Sequence, residues 1–97
     1  MPYTIITGAS AGIGYETAKG LASIGHNLIL VARNYEKLKQ IKKNILAQYK
    51  VECDIYSYDL SLIQSNINFS NKIIEKYKDI HILINNVGAI FMETNDE

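Results

Sequence analysis

The feature that most constrains the fold is a glycine-containing segment, residues 7–14, with the sequence Thr-Gly-Ala-Ser-Ala-Gly-Ile-Gly. It follows an apolar run at residues 3–6 and precedes a helical pattern, so it is expected to join a strand to a helix. Glycines leave the backbone uncovered, and the N–H groups at a helix N-terminus can then approach a phosphate closely. Glycine triplets also occur in ordinary loops, but the flanking strand and helix favour a phosphate-binding turn.

Each glycine of this segment is assigned a separate task. Gly8 allows the sharp exit from the strand, Gly12 allows close approach of a pyrophosphate, and Gly14 allows tight packing of helix on strand. The spacing, Gly-x-x-x-Gly-x-Gly, differs from the general Gly-x-Gly-x-x-Gly pattern of dinucleotide-binding proteins. A dinucleotide ligand therefore needs support from the rest of the chain.

The remaining sequence alternates extended and helical patterns. Strands are predicted at residues 27–32, 51–58 and 80–84. Helices are predicted from the glycine segment to Gly25, over residues 35–49, and after Ser61, whose hydroxyl is expected to cap the third helix. The residues expected on the buried face of the first helix are Ile13, Thr17, Ala18, Leu21, Ala22 and Ile24. Two adjacent apolar stripes are expected on the third helix, one of Ile63, Ile67, Ser70, Ile74 and Tyr77 and one of Leu62, Phe69 and Ile73.

This alternation predicts the α/β class, with a parallel sheet covered by helices on both faces. Right-handed crossovers give a doubly wound, Rossmann-type sheet of strand order 3-2-1-4, with its ligand at the switch between strands 1 and 4. A chain of 97 residues has room for one small domain. We therefore interpret residues 1–97 as part of a single domain.

The composition excludes several classes of partner and site. Ten basic residues balance ten acidic ones, which argues against a nucleic acid or an anionic membrane as partner. Cys53 is the single cysteine, and no Cys/His spacing resembles a metal site, so no metal is expected and a reducing cytoplasm is the predicted location. No apolar run approaches the roughly 20 residues that span a bilayer.

The end of the second strand predicts the preferred coenzyme. At this position an acidic residue accepts the ribose 2′-hydroxyl of NAD, whereas an arginine accommodates the 2′-phosphate of NADP. Arg33 occupies it, and Asn34 can add a hydrogen bond, which favours NADP over NAD. The alternative is a surface arginine that lies along the edge of the sheet.

Polar residues also follow the third and fourth strands. Asp59 is placed to accept a hydrogen bond from an adenine amino group, or it is an acid that suits the N-terminal dipole of the third helix. Asn85, Asn86 and Gly88 lie at the carboxyl end of the fourth strand, where ligands bind in open α/β sheets. The two amides either join neighbouring strand ends or contact the cofactor ribose.

Three motifs together resemble the cofactor-binding half of the short-chain dehydrogenase/reductase family. They are Thr7-Gly8-x-x-x-Gly12-x-Gly14, Asp59-Leu60 and Asn85-Asn86-Val87-Gly88. Val-Ala-Arg-Asn at residues 31–34 resembles the NADP-preferring branch, and there is a looser similarity to its retinol-dehydrogenase-like members. The resemblance implies a cofactor site made of Gly8, Ser10, Ala11, Gly12, Ile13, Gly14, Arg33, Asn34, Asp59, Leu60, Asn85, Asn86, Val87 and Gly88. Of these, residues 8–14 would line the pyrophosphate, residues 33–34 the 2′-phosphate, residues 59–60 the adenine, and residues 85–88 the adenosine and ribose.

The sequence also departs from the family pattern. Val87 stands where the family usually has alanine, and Ala11 stands where many NADP binders carry a second basic residue. The catalytic serine and the Tyr-x-x-x-Lys pair of the family would lie beyond the fourth strand, and no Tyr-x-x-x-Lys follows that strand here. Tyr35 and Lys39 have this spacing, but they lie on the wrong helix. We therefore expect no catalytic residue here, a truncated domain, and no activity of this chain alone.

The resemblance implies that the full-length protein transfers a hydride between a nicotinamide and a carbonyl or alcohol substrate of small size. We also expect the full-length protein to be a homo-oligomer. Two alternatives stay open, a dinucleotide-binding module without turnover and a nonfunctional truncated product.

Overall fold

Strands and helices alternate in the computed structural model, which describes residues 3–10 and 12–84. The elements are β1 (Tyr3–Thr7), α1 (Gly12–Ser23), β2 (Asn27–Ala32), α2 (Tyr35–Gln48), β3 (Cys53–Ser57), α3 (Ile63–Lys76) and β4 (Ile80–Ile84). The type and the order of these strands and helices match the prediction from the sequence. The third strand is shorter than the predicted residues 51–58, and the third helix begins later than predicted.

The strands form one parallel sheet in the order β3-β2-β1-β4. This is the order predicted from right-handed crossovers, and the α/β class is confirmed. Ile5 of β1 lies opposite Ile29 of β2, and Leu30 of β2 lies opposite Ile55 of β3. All strands therefore end at the same edge of the sheet, which we call the carboxyl edge.

Helices cover both faces of the sheet because the strands are apolar on both sides. On one face α1 and α2 pack against side chains of β1 and β2, and on the other face α3 packs against the alternate side chains of the same strands. The first layer contains Ile6, Ala9, Ala18, Ala22, Leu28, Leu30, Ala32, Leu38, Ile41, Ile45 and Cys53. The second layer contains Ile5, Ile29, Val31, Phe69, Ile73 and Tyr77.

The buried face of α1 is narrower than predicted. Gly14, Ala18 and Ala22 are buried, whereas the side chains of Ile13 and Ile24 are 76% and 70% exposed. Small residues let α1 lie close to the sheet, and the two isoleucines lie at its ends, beyond the contact with the strands. The prediction that Ile13 and Ile24 belong to the core is therefore wrong.

The buried face of α3 also differs from the prediction. Phe69 and Ile73 are buried as expected, together with Asn66, but Ile67 is 39% and Ile74 48% exposed. The Asn66 side-chain amide donates to the carbonyl of Leu60 and accepts from the hydroxyl of Ser70, so two polar residues are buried with partners. Of the predicted stripe, Ser70 and Tyr77 are buried, whereas its three isoleucines are exposed.

Polar side chains fasten α3 at the opposite, amino edge of the sheet. We define the amino-edge cluster as Tyr3, Glu52, Asp54, Tyr56, Lys76 and Tyr77. The Tyr77 hydroxyl donates to the Asp54 carboxylate and lies 2.8 Å from the Tyr56 hydroxyl. The Tyr3 hydroxyl donates to Glu52 Oε1 at 2.5 Å. The bonds of Tyr77 connect the C-terminal end of α3 to β3, and the bond of Tyr3 connects β1 to the residue before β3.

Candidate functional site

A cleft of about 570 Å³ lies at the carboxyl edge, and we call it the carboxyl-edge cleft. It lies beyond the ends of β1, β2 and β3, where polar groups that follow different strands come together. Its lining residues are Gly8, Ser10, Ile13, Gly14, Val31, Ala32, Arg33, Tyr58, Asp59, Leu60 and Ser61. A volume of this size is typical of small-molecule and cofactor sites.

The glycine segment forms one wall of the cleft. The φ angles of Gly8 and Gly12 are 64° and 50°, a conformation that disfavours a side chain. A Cβ atom built on Gly12 has no atom of the described chain within 4 Å, so the space beside this backbone is open. The Ala9 N–H donates to the carbonyl of Val31 at 3.3 Å and ties the turn to β2.

The first turn of α1 presents N–H groups that have no partner within an α-helix. It contains no acidic residue, so no carboxylate there opposes an anion. Glu16, on the next turn, is paired with Lys19 at 3.2 Å and is exposed. The open space beside Gly12 and this helix N-terminus together fit a diphosphate group.

Arg33 directly follows β2 and lines the cleft with an exposed side chain. Its backbone carbonyl accepts a hydrogen bond from the Ser57 hydroxyl at 2.8 Å, which links the ends of β2 and β3. Within residues 3–10 and 12–84, its guanidinium is in no salt bridge, since the ion pairs there are Lys19–Glu16 and Lys39–Glu36. The guanidinium can therefore bind an external anion.

The structure places Asn34 differently from Arg33. Asn34 is the N-cap of α2, and its Oδ1 accepts from the Lys37 N–H at 3.0 Å. It does not line the carboxyl-edge cleft. The sequence did contain the signal for this role, because asparagine is among the preferred N-cap residues and the helical pattern begins at the next position.

Asp59 and Ser61 form a hydrogen-bonded pair on the far wall. Oδ1 of Asp59 accepts from the Ser61 hydroxyl at 2.6 Å and from the Ser61 N–H at 3.1 Å. These two bonds lower the pKa of the Asp59 carboxyl, chiefly through the hydroxyl. Desolvation opposes this shift, and the nearby charge of Arg33 adds a weaker lowering. Asp59 is thus an ionised acceptor at neutral pH.

The predicted capping role of Ser61 is wrong. Helix α3 begins at Ile63 with Leu62 at its N-cap, and no side chain caps it. The Ser61 hydroxyl is instead bound to Asp59, two residues before it. Sequence reasoning missed Ser61 as a residue of the cleft because the same residue type serves both purposes, and the choice depends on where the helix begins.

Three further lining residues were not predicted, namely Val31, Ala32 and Tyr58. The first two end β2, and the Tyr58 N–H donates to the carbonyl of Ala32 at 3.0 Å. The Tyr58 ring contacts Phe69 of α3 with centroids 5.3 Å apart, which fixes this part of the wall. Their position at the carboxyl ends of strands could have identified them as lining residues from the sequence.

The other predicted residues are distributed as follows. Gly8, Ser10, Ile13, Gly14, Arg33, Asp59 and Leu60 come together in the cleft, while Gly12 lies in the same turn without lining it. Ala11, Asn85, Asn86, Val87 and Gly88 lie outside the described residues. The role of each residue in binding stays a prediction.

Other features of the described chain offer less to a ligand. Burial raises the pKa of the Cys53 thiol to about 12, so this side chain stays protonated and unreactive. Within residues 3–10 and 12–84, no three His, Cys, Asp or Glu side chains converge to hold a metal ion. In the same residues, every helix is too short or too polar to cross a membrane.

Comparison with known proteins bears on this cleft. A family model described as short chain dehydrogenase matches residues 2–97. The inactive hydroxysteroid dehydrogenase-like protein 1 of Homo sapiens is 43% identical over 89 residues, 92% of this chain and 27% of that protein. The very-long-chain 3-oxoacyl-CoA reductase of Eremothecium gossypii is 38% identical over 103 residues, 98% of this chain and 29% of that protein. The chain thus spans less than a third of the length of these relatives.

A solved structure is similar over the same part of the chain. It is a short-chain dehydrogenase from Sphingobium yanoikuyae in complex with NADPH, with a TM-score of 0.82 and 33% sequence identity. The match covers 91% of this chain and 34% of that one.

Proposed function

The chain belongs to the short-chain dehydrogenase/reductase family, and from this membership we propose that residues 1–97 form the dinucleotide-binding part of an NADP-dependent oxidoreductase. The single observation that supports this best is the carboxyl-edge cleft. A glycine turn, an unpaired arginine and an ionised aspartate line it together, although they follow three different strands.

The residues would divide the dinucleotide among them. The pyrophosphate would lie against Gly12 and the N-terminus of α1, close to Ser10, Ala11 and Ile13. The support is the open space beside Gly12 and the lack of an acidic residue in the first helical turn. Ile13, with its exposed side chain, would cover the dinucleotide from the cleft wall.

Arg33 would select NADP over NAD by binding the 2′-phosphate through its planar guanidinium. Its lack of a salt bridge in the described chain supports this role, because no internal carboxylate has to be displaced. Asn34 would contribute only its amide N–H groups, since its carbonyl oxygen is used in capping α2. The coenzyme in the Sphingobium yanoikuyae structure, NADPH, is consistent with this preference.

Asp59 and Leu60 would contact the adenine, and Asn85 to Gly88 would contact the adenosine and ribose, as the family resemblance implies. A bound nicotinamide supplies the hydride chemistry. The residues described here would bind and orient the dinucleotide. The substrate would be a small carbonyl or alcohol compound, and turnover would require the family's Tyr-x-x-x-Lys pair, which would lie beyond the fourth strand.

Binding of NADPH to the chain tests the proposal directly. Nicotinamide fluorescence should show saturable binding of NADPH, and binding of NADH that is at least about tenfold weaker, because only NADPH offers the 2′-phosphate to Arg33. Adenosine 2′,5′-bisphosphate should displace NADPH better than adenosine 5′-monophosphate. The absence of saturable binding of either coenzyme would contradict the proposal.

A second candidate function is dinucleotide binding without turnover. The observation that favours it is the 43% identity to a human relative whose name calls it inactive. The discriminating observation is the reading frame that encodes this chain. Continuation into a Tyr-x-x-x-Lys segment supports an enzyme, and NADPH binding with no such segment supports a binding module.

A further inference from the structure

Ser61 has no role in the predicted site and no role in helix capping, yet it makes the two hydrogen bonds that hold Asp59. Both bonds end on the same oxygen, Oδ1, one from the hydroxyl at 2.6 Å and one from the backbone N–H at 3.1 Å. An oxygen held from two directions fixes the plane of the carboxylate, because rotation about the side-chain bonds would break at least one of them.

The other oxygen of the carboxylate, Oδ2, is left to accept from a ligand. In the described part of the chain, Ser61 is the hydrogen-bond donor to the Asp59 carboxylate, and both of its bonds go to Oδ1. Asp59 and Ser61 both line the carboxyl-edge cleft. The pair is therefore a fixed, ionised acceptor in the wall of the cleft, and the second oxygen of its carboxylate has no donor among the described residues.

An ionised carboxylate accepts hydrogen bonds and cannot donate them. Among purine rings, adenine offers an exocyclic amino group, which is a donor, whereas hypoxanthine carries a carbonyl oxygen at the same position. A fixed acceptor would bind the amino group of adenine and repel the carbonyl oxygen of hypoxanthine. A freely rotating carboxylate could turn away from the carbonyl oxygen, and the discrimination would then be smaller.

We propose that Ser61 is a positioning residue, which holds Asp59 so that its open oxygen selects dinucleotides bearing an exocyclic amino group on the purine. The proposal rests on the proposed function, since it assigns a specificity to the same cleft. Ser61 acts through Asp59 and need not touch the dinucleotide.

The test compares NADPH with its hypoxanthine analogue, in which a carbonyl replaces the amino group. Both dissociation constants are measured by nicotinamide fluorescence for the wild-type chain, Ser61→Ala and Ser61→Thr. We expect Ser61→Ala to lower the preference for the adenine form about threefold to tenfold, the range expected for losing one typical hydrogen bond, because the Ser61 backbone N–H still holds the carboxylate. Ser61→Thr keeps the hydroxyl and should keep the preference within about twofold.

Ser23→Ala is the matched control. It also removes a serine hydroxyl that donates a 2.6 Å hydrogen bond, to the carbonyl of Gly20 at the far end of α1, and should leave the preference unchanged. A loss of structure in Ser61→Ala would weaken both dinucleotides alike, without changing their ratio.

The outcomes separate this proposal from the proposed function. If the wild-type chain binds NADPH but Ser61→Ala keeps the same preference, the positioning role is wrong and the proposed function stands. If the wild-type chain binds neither dinucleotide, both are wrong. A reduced preference in Ser61→Ala that Ser61→Thr restores supports the positioning role.

Discussion

The two edges of the sheet carry similar numbers of polar side chains but use them in opposite ways. At the amino edge, the phenols of Tyr3 and Tyr77 are bonded to the carboxylates of Glu52 and Asp54, so the polar groups there satisfy one another. At the carboxyl edge, the guanidinium of Arg33 forms no salt bridge within the described chain, although the charge of Asp59 is nearby. The difference indicates that the amino edge stabilises the fold, whereas the carboxyl edge is available to a ligand.

Burial and charge sharpen this contrast. Desolvation and the bond to Asp54 raise the pKa of Tyr77, and the bond to Glu52, aided by partial burial, raises that of Tyr3 to about 12. Across the sheet, two bonds from Ser61 lower the pKa of Asp59. The amino edge therefore favours neutral phenols, and the carboxyl edge favours an ionised acid beside a cation.

Arg33→Asp should have the largest effect if the carboxyl edge binds NADP. The change removes a cation and places a carboxylate next to the 2′-phosphate, so the ratio of NADPH to NADH affinity should fall by about 100-fold or more. Fluorescence titration with both coenzymes measures the ratio. Lys37→Asp, an equal change of charge one helical turn away, should alter it much less, and an unchanged ratio in Arg33→Asp would rule out selection by this residue.

Gly12→Ala should weaken both coenzymes by about 30-fold. The φ angle of 50° becomes strained, at about 1–2 kcal/mol, and the new methyl group enters the space assigned to the pyrophosphate. Gly25→Ala is the matched control, since Gly25 has a φ of 95° and the same open surroundings at the other end of α1. Equal affinity losses in the two variants would show that strain alone is responsible.

Tyr77→Phe should destabilise the fold without changing coenzyme binding. It removes the hydroxyl that donates to Asp54, and we expect the free energy of unfolding to fall by about 1.5 kcal/mol in urea titrations. Tyr35→Phe, at an exposed position, should have no such effect. A change in NADPH affinity above about twofold in Tyr77→Phe would break the division of roles between the two edges.

Tyr3 should give the smallest effect, and its signature is a change in the pH dependence of stability at alkaline pH. Because the pKa of Tyr3 is raised from 10.0 to about 12 in the folded state, its contribution to stability is complete below pH 10 and is lost as the pH rises through 12. Urea titrations between pH 9 and 12 should show a decline in stability that is shallower in Tyr3→Phe. Identical declines in the two proteins would mean that the bond to Glu52 does not persist in solution.

The sequence predicted the sheet well because its apolar runs are simple. The run at β2 is buried on both faces, and because parallel strands bring their carboxyl ends to one edge, the polar residues after these strands were predicted to lie together, as they do in the cleft. The ligand was expected at the switch between strands 1 and 4, whereas the cleft formed by the described residues lies beyond β1, β2 and β3, and its role in binding stays a prediction. The hydrogen bonds of single side chains were harder. Ser61 could cap a helix or hold Asp59, and only the starting point of α3 decides between them.

The orientation of α3 could not be predicted from its pattern for a similar reason. Isoleucines at 63, 67 and 74 suggest a buried stripe, but these side chains are exposed, whereas Asn66 is buried. Asn66 bonds to Leu60 and Ser70, and these partners are known only once the chain has folded. Asn34 is a different case. The sequence contained the signal for the N-cap, because asparagine directly precedes the helical pattern, but the same position also suited a residue that contacts the coenzyme.

The sheet also acts as a partition. The layer that contains Leu38 and the layer that contains Phe69 have no side chain in common, so a vacancy opened on one side cannot be refilled from the other. A substitution that opens a cavity in one layer therefore does not change the side-chain packing of the other layer, and each layer tolerates substitutions according to its own packing. What the two sides share is the backbone between them, whose carboxyl edge holds the cleft.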